Sequence, residues 1–289
     1  MNAVSQNKVR IRHTQDYLRE IGVPPLPPLT SPFDPGYDPV TLESHLDQSW
    51  HLMSSLKISM ACWQVANESA TRKKVDAARR FSVPVYTGGG PFEIAVYFKK
   101  LPEYLDLCVE IGVTGIEAGM GFIDNELDPK EIVKMASDRG LTVQFEIGEK
   151  HGGTFTEDIV KELIDQGMRW LDAGAEKIVV EGRESAQNVG LFDGKGKLNA
   201  SFAEQFTQAY GLERTIFEAP NKPSQFALLN HFGPLVQLSN VRLEELLRVE
   251  IYRRGLHSDA FRQELLRPKG YSSNEAECNL SYNQSATAV

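Results

Sequence analysis

Two periods of apolar residues take turns along this chain. Short runs rich in β-branched and aromatic residues, the pattern of buried strands, fall at Leu29–Phe33, Leu56–Met60, Val83–Thr87, Gly115–Ala118, Thr142–Ile147, Lys177–Gly182, Thr215–Ala219 and Leu235–Leu238. The first of them is disturbed by proline. Stretches with the 3.6-residue repeat of amphipathic helices separate them, at Ser69–Arg80, Leu101–Ile111, Pro129–Arg139, Glu157–Ala173 and Val241–Arg254. Gly112, Gly140, Gly174 and Gly255 stand as C-terminal stops, and Asp128-Pro129 supplies an N-cap followed by an N1 proline. Eight strand-like runs alternating with helices predict a single-domain α/β fold, a closed TIM (β/α)8 barrel over residues 29–267. No Gly-x-Gly-x-x-Gly follows the first run, which argues against an open dinucleotide-binding sheet.

The ends read differently. Residues 1–28 carry the Pro-rich piece Val23–Leu29, which cannot continue a helix and is expected to form an extended N-terminal arm. Residues 268–289 lack periodic apolar character and are expected to form a flexible C-terminal tail. A net charge of -8 disfavours a nucleic-acid partner. No apolar run approaches the length of a membrane span, and the N-terminus has no signal-peptide core, so a cytoplasmic location is expected. Cys62, Cys108 and Cys278 are too few and too scattered for a disulfide framework or a thiolate zinc site.

Four of the strand-like runs end in the same way, on a glutamate followed by a small or apolar residue: Glu117, Glu146, Glu181 and Glu218. At the C-terminal ends of parallel barrel strands they would converge on one mouth, where active sites of this fold are built. Each could equally brace that mouth by pairing with Lys57, Lys150 or Arg183. Carboxylates in this number, without a Cys or His cluster, suit a hard divalent cation such as Mg2+. Gly88, Gly89 and Gly90 read either as a turn or as backbone N–H groups brought close to an anion. Ser239-Asn240 is expected to start the helix after the last strand, a seat for phosphate as well as an N-cap. Lys150 has the position for a protonated general acid or a substrate clamp, or is an ordinary surface lysine. The histidines, including His151, have no metal-ligand spacing.

With these residues in view the chain resembles a known family. Val85-Tyr86-Thr87-Gly88-Gly89, Phe92-Glu93, Phe145-Glu146-Ile147-Gly148, Glu181-Gly182-Arg183-Glu184-Ser185, Ile216-Phe217-Glu218-Ala219-Pro220 and Arg253-Arg254-Gly255-Leu256 are similar to segments of the phosphosulfolactate synthases, over about Leu29 to Phe261. The resemblance implies an α/β barrel lyase that adds sulfite to the methylene carbon of phosphoenolpyruvate with Mg2+, giving phosphosulfolactate. It implies Lys150 as proton donor and Lys57 and Arg183 as catalytic cations. Gly88, Gly89, Glu181, Glu218, Ser239, Asn240 and Arg254 would bind substrate, and Glu117 and Glu146 would hold the metal or its waters. A homo-oligomer is the expected assembly.

The departures from that family bear on the nucleophile. A Lys-Lys pair becomes Glu149-Lys150, a Ser-Asp-Gly becomes Ala118-Gly119-Met120, a Gly-Trp-Gly-like segment becomes Met60-Ala61-Cys62-Trp63, and an Asp-Lys-Gly becomes Asp34-Pro35-Gly36. Cations and hydroxyls are lost on one side of the expected pocket. Two alternatives therefore stand beside sulfite addition: a phosphoenolpyruvate-using synthase with a different nucleophile, and a non-catalytic barrel like the heat-stress-associated plant relatives.

Overall fold

The side-chain period of two along each strand decides what enters a barrel and what faces its helices. The computed structural model describes residues 13–123, 127–150 and 152–267. Eight parallel strands close in sequence order: β1 (Thr30–Asp34), β2 (Leu56–Ile58), β3 (Val85–Thr87), β4 (Gly115–Gly119), β5 (Thr142–Ile147), β6 (Lys177–Val180), β7 (Thr215–Glu218) and β8 (Gln237–Arg242), with β8 pairing back onto β1. The expected (β/α)8 barrel is therefore the fold of this chain. Around it run α1 (Thr14–Glu20), α2 (Pro39–Ser49), α3 (Cys62–Val65), α4 (Glu68–Arg80), α5 (Gly89–Tyr97), α6 (Leu101–Ile111), α7 (Pro129–Ser137), α8 (Glu157–Ala173), α9 (Ala200–Tyr210), α10 (Lys222–Phe232) and α11 (Leu246–Arg253). The Asp128 carboxylate caps α7 through the Lys130 N–H at 2.9 Å, and α8 stops at Gly174 with φ 108°. Residues 1–12 of the expected arm and the whole expected tail lie outside the described residues.

Outward-facing Ile116, Ala118, Phe145, Ile147, Ile178 and Phe217 pack against the helices in the hydrophobic core. Trp170 of α8 stacks on Phe145 with ring centroids 4.1 Å apart and planes 9° from parallel. Truncating one such buried aromatic to alanine typically costs about 3–5 kcal/mol. The barrel's interior is polar instead. Lys177 on β6 donates to Gln237 Oε1 on β8 at 2.5 Å, and the Tyr86 hydroxyl on β3 lies 2.7 Å from Thr142 Oγ1 on β5 and 2.8 Å from Glu176 Oε2. The Lys177–Gln237 and Tyr86–Thr142 ties each skip one strand, as the layered filling of such barrels requires. Gly115 makes room for the Tyr86 ring: a Cβ there would lie 2.5 Å from it.

One strand differs from the sequence expectation. Its predicted span was Leu235–Leu238, but β8 begins at Gln237 and continues through Arg242. Inward-facing Gln237 and Ser239 break the apolar pattern that marks a strand in sequence. The helix expected over Val241–Arg254 accordingly starts later, at Leu246, after a 3-10 turn over Leu243–Glu245. No helix among the described residues is long and apolar enough to cross a membrane.

Candidate active site

The C-terminal ends of the strands open into a cavity of about 690 Å³. Lys57, Gly88, Gly89, Glu117, Glu146, Lys150, Glu181, Arg183, Glu218 and Asn240 all line it, so the structure brings together most of the residues singled out in the sequence. Their order follows from the strands that carry them. Lys57 stands mid-barrel on β2, Glu117 on β4, Glu146 on β5, and Glu218 at the end of β7, while Glu181 follows β6 directly.

The ring is built from two linked charge clusters. In one, Lys57 Nζ donates to both oxygens of Glu117 at 3.1 Å and to Glu218 Oε1 at 3.2 Å. In the other, Lys150 Nζ donates to Glu146 Oε1 at 2.9 Å and to Glu181 Oε2 at 3.4 Å. Backbone N–H groups complete the carboxylates: Gly89 donates to Glu117 at 3.1 Å, Gly182 and Arg183 to Glu218 at 3.0 and 3.1 Å, and Arg183 to Glu181 at 2.6 Å. The glycine loop thus does present an N–H to an acceptor, but here the acceptor is the protein's own Glu117 carboxyl. Arg183 directs its guanidinium to the Lys150 carbonyl at 2.7 Å.

Burial sets the protonation states. Burial opposes the Lys57 charge, but Glu117, Glu218 and Glu146 outweigh it and hold the lysine above its ordinary value. Lys150 is raised in the same way, against burial, by Glu146 and Glu181. Among the carboxyls, burial pushes Glu117 up to about 8 despite Lys57, whereas Glu146, as deeply buried, is held at about 2 by Lys150 and Lys57. Burial and then the neighbouring Glu218 push Glu181 up to about 10. Burial and crowding thus favour the neutral forms of Glu117 and Glu181, which relieves the excess of carboxyl over ammonium groups. The ring combines ammonium groups with carboxyls that differ in how readily they hold a proton, a preorganised field for charge that develops on a bound anion.

Three sequence expectations change. Ser239 and Asn240 lie within β8, not at a helix N-terminus, so the helix-dipole seat expected there is not formed. Between them and β1 the register shifts, with Ser31 opposite Ser239 but Pro32 opposite Val241. Asn240 is the extra residue of this bulge, at φ 54°, a conformation Asn tolerates better than most residues, and it lines the cavity. Ser239 is buried with its hydroxyl unpaired. Arg254 is the second correction. It pairs with Glu250, which accepts from Thr30 Oγ1 at 2.6 Å, and neighbouring Arg253 binds the Pro234 and Val236 carbonyls. These contacts belong to the starts of β1 and β8, the opposite end of the barrel from the mouth.

The third concerns the departures. Glu149 is exposed and lines a neighbouring groove with Glu162, Asp165 and Arg169, which shares Glu146 with the mouth cavity, and Cys62 does not line that cavity. Pro35, Met60 and Ala61 do line it, joined by Ile94 and Phe122, so the same cavity has an apolar part beside the charged ring. Sequence reasoning missed Arg242, which lines the cavity beside the Phe33 ring, and Glu93, which is fully buried on α5. Arg242 was hidden inside the expected last helix. His151 lies outside the described residues.

Comparison with known proteins agrees with this architecture. The family model of (2R)-phospho-3-sulfolactate synthase matches residues 27–259. Phosphosulfolactate synthase of Methanocaldococcus jannaschii is 31% identical over 234 residues, 81% of this chain and 93% of that protein. The Methanothermobacter thermautotrophicus enzyme is 30% identical over 80% of this chain and 90% of its own length. Among solved structures, deoxyribose phosphate aldolase from Aeropyrum pernix superposes with a TM-score of 0.48 at 12% identity, over 78% of this chain and 89% of that one, too distant to bear on the site. With the family matched from β1 to beyond the last barrel helix, this chain belongs to the (2R)-phospho-3-sulfolactate synthase family.

Proposed function

We propose that the mouth cavity adds sulfite to the methylene carbon of phosphoenolpyruvate, giving phosphosulfolactate. The observation that carries this reading is Lys150, an ammonium group held charged between Glu146 and Glu181 on the wall of the cavity. The sulfite lone pair forms the carbon–sulfur bond, the double-bond electrons move onto the substrate carboxylate as an enediolate, and Lys150 then delivers a proton to the carbon bearing phosphate. Lys57 and Arg183 supply positive charge for the substrate's anionic groups, and Asn240 adds a neutral polar side chain. Arg242 is a further cation at the rim.

Glu117 and Glu146 are the residues that would hold Mg2+. Among the described residues no group of three or more His, Cys, Asp or Glu forms a ready-made cage. A pair of carboxyls is nonetheless a donor set that Mg2+ accepts when waters and substrate oxygens complete its shell. A metal bound there supplies Lewis-acid stabilisation of charge on substrate oxygens.

The apolar part of the cavity, with Pro35, Met60, Ala61, Ile94 and Phe122, favours a second reading, in which the same phosphoenolpyruvate site takes a nucleophile with an organic body. Mass spectrometry of the phosphate-ester product, with sulfite and small thiols in competition, separates the two. Sulfite should be the preferred reactant. Product from thiols alone would replace the first reading with the second, and calorimetry showing no Mg2+-dependent binding of phosphoenolpyruvate would sink both. Lys150→Ala should abolish turnover while phosphoenolpyruvate still binds.

A further inference from the structure

Glu93 is the deepest carboxyl near the mouth that the proposed reaction leaves unused. It sits on α5, four residues after Gly89, with no solvent exposure. Its Oε2 accepts the Phe122 N–H at 2.9 Å, and its Oε1 has no hydrogen-bond partner. Burial pushes this carboxyl up, partly offset by the Phe122 N–H and the Lys150 charge. A buried carboxyl with an orphaned oxygen is costly, so its presence here calls for a specific task.

That task is visible on the other side of the same peptide group. The amide linking Gly121 to Phe122 points its N–H at Glu93 and its carbonyl at the Lys150 N–H, which donates to it at 3.0 Å. One peptide plane is clamped at both ends, and it cannot rotate without losing both bonds. The Lys150 stem lies against the same spot: a Cβ on Gly121 would come within 2.9 Å of Lys150 Cγ and 3.0 Å of Cε. Lys150 in turn offers its carbonyl to Arg183 at 2.7 Å. We infer that Glu93 is a positioning residue for Lys150, acting through the Gly121–Phe122 peptide. The inference rests on the reading of Lys150 as proton donor. A donor displaced by about 1 Å loses on the order of a hundredfold in rate, so a clamp of this kind matters to turnover more than to binding.

The test compares Glu93→Ala, Glu93→Gln, Gly121→Ala and the double variant Glu93→Ala/Gly121→Ala. Steady-state rates with phosphoenolpyruvate, sulfite and Mg2+ are read beside amide exchange at Phe122. Glu93→Ala should lower kcat about a hundredfold, with KM for phosphoenolpyruvate changed no more than about threefold. Glu93→Gln keeps an acceptor for the Phe122 N–H and should restore most of kcat. Gly121→Ala pushes on Lys150 from the other side, and the double variant should be no worse than the poorer single one, since both act on one peptide. Wild-type kcat in a folded Glu93→Ala, a Gln variant as poor as the Ala variant, or additive losses would each overturn the inference. Should the wild-type protein form no product from these reactants, the proposed reaction fails separately. Phe122 exchange then decides the clamp: it must accelerate in Glu93→Ala and not in Glu93→Gln, and Phe122 exchange unchanged by Glu93→Ala overturns it. If Glu93→Ala does not fold, Gly121→Ala and Glu93→Gln carry the same comparison.

Discussion

Lys57 on β2 and Glu117 on β4 meet across the intervening β3, with Nζ 3.1 Å from both carboxyl oxygens and both residues almost sealed from solvent. Removing the ammonium leaves the carboxyls that face it, Glu117 and Glu218, buried without a cation, which typically costs about 3–5 kcal/mol. Lys57→Met should therefore lower the unfolding free energy by about that much at pH 8 in urea titrations. The loss should shrink at pH 5, where the stranded carboxyls can take up protons. Equal losses at the two pH values would mean that packing, not charge, dominates.

Stability should fall as pH rises from about 5 to 8. Glu117 and Glu181 are pushed up to about 8 and about 10, so in this window the folded state holds protons that the unfolded chain, near its ordinary 4.5, has released. Linkage then gives a negative slope, at most about 1.4 kcal/mol per pH unit for each group. Glu146 works the other way, its contribution being present above the unfolded value and lost only in acid. Thermal unfolding across this range should show the decline, and Glu117→Gln should flatten the part below about 8. A stability curve that rises through the window would overturn these protonation states.

Gly89→Ala should fold and yet bind substrate poorly. A Cβ at this position meets Glu146 Oε2 at 3.6 Å and Glu117 Oε1 at 3.8 Å, ordinary contact distances, so no backbone strain is expected. The methyl would stand over the carboxyl pair assigned to Mg2+. The melting temperature should change by no more than a few degrees while calorimetric affinity for phosphoenolpyruvate with Mg2+ drops about tenfold or more, the two effects dissociating as they would not for a folding defect.

Arg254→Met should behave in the opposite way. Its partner Glu250 keeps Arg253 and Thr30, so the loss should be that of one charged hydrogen bond, about 1.5–3 kcal/mol in chemical denaturation. kcat and KM should stay at wild-type values. A raised KM would return Arg254 to the substrate side.

The glutamate-bearing ends were legible in the sequence because Glu117, Glu146 and Glu218 each follow an apolar outward-facing residue near the C-terminal end of their strands, and Glu181 comes directly after β6. β8 was not, because its inward residues Gln237 and Ser239 imitate a loop and Pro234-Leu235-Val236 imitates a strand. α5 was hidden for a related reason: it opens with Gly89-Gly90-Pro91, whose composition signals a turn, while burial of Phe92, Glu93 and Ala95 against the barrel supplies the helix with its stability. Arg254 was misplaced by the resemblance, although its position at the end of the last helix, which runs back antiparallel to β8, already points away from the mouth. The bulge at Asn240 shows only in the pairing of β8 with β1, a relationship between residues far apart in the chain.

The strand-skipping tie at Lys57 also has a consequence for the order of synthesis. Glu117 follows Lys57 by 60 residues and Glu218 by 161. At roughly 5–20 residues per second the second partner emerges on the order of ten seconds or more after the lysine. Throughout that interval the ammonium needs water, so an unfinished sheet has reason to stay open around it. A nascent or truncated chain lacking β7 would carry a solvated cation where the complete protein has a sealed one, a chemical mark of incompleteness written at the centre of the barrel.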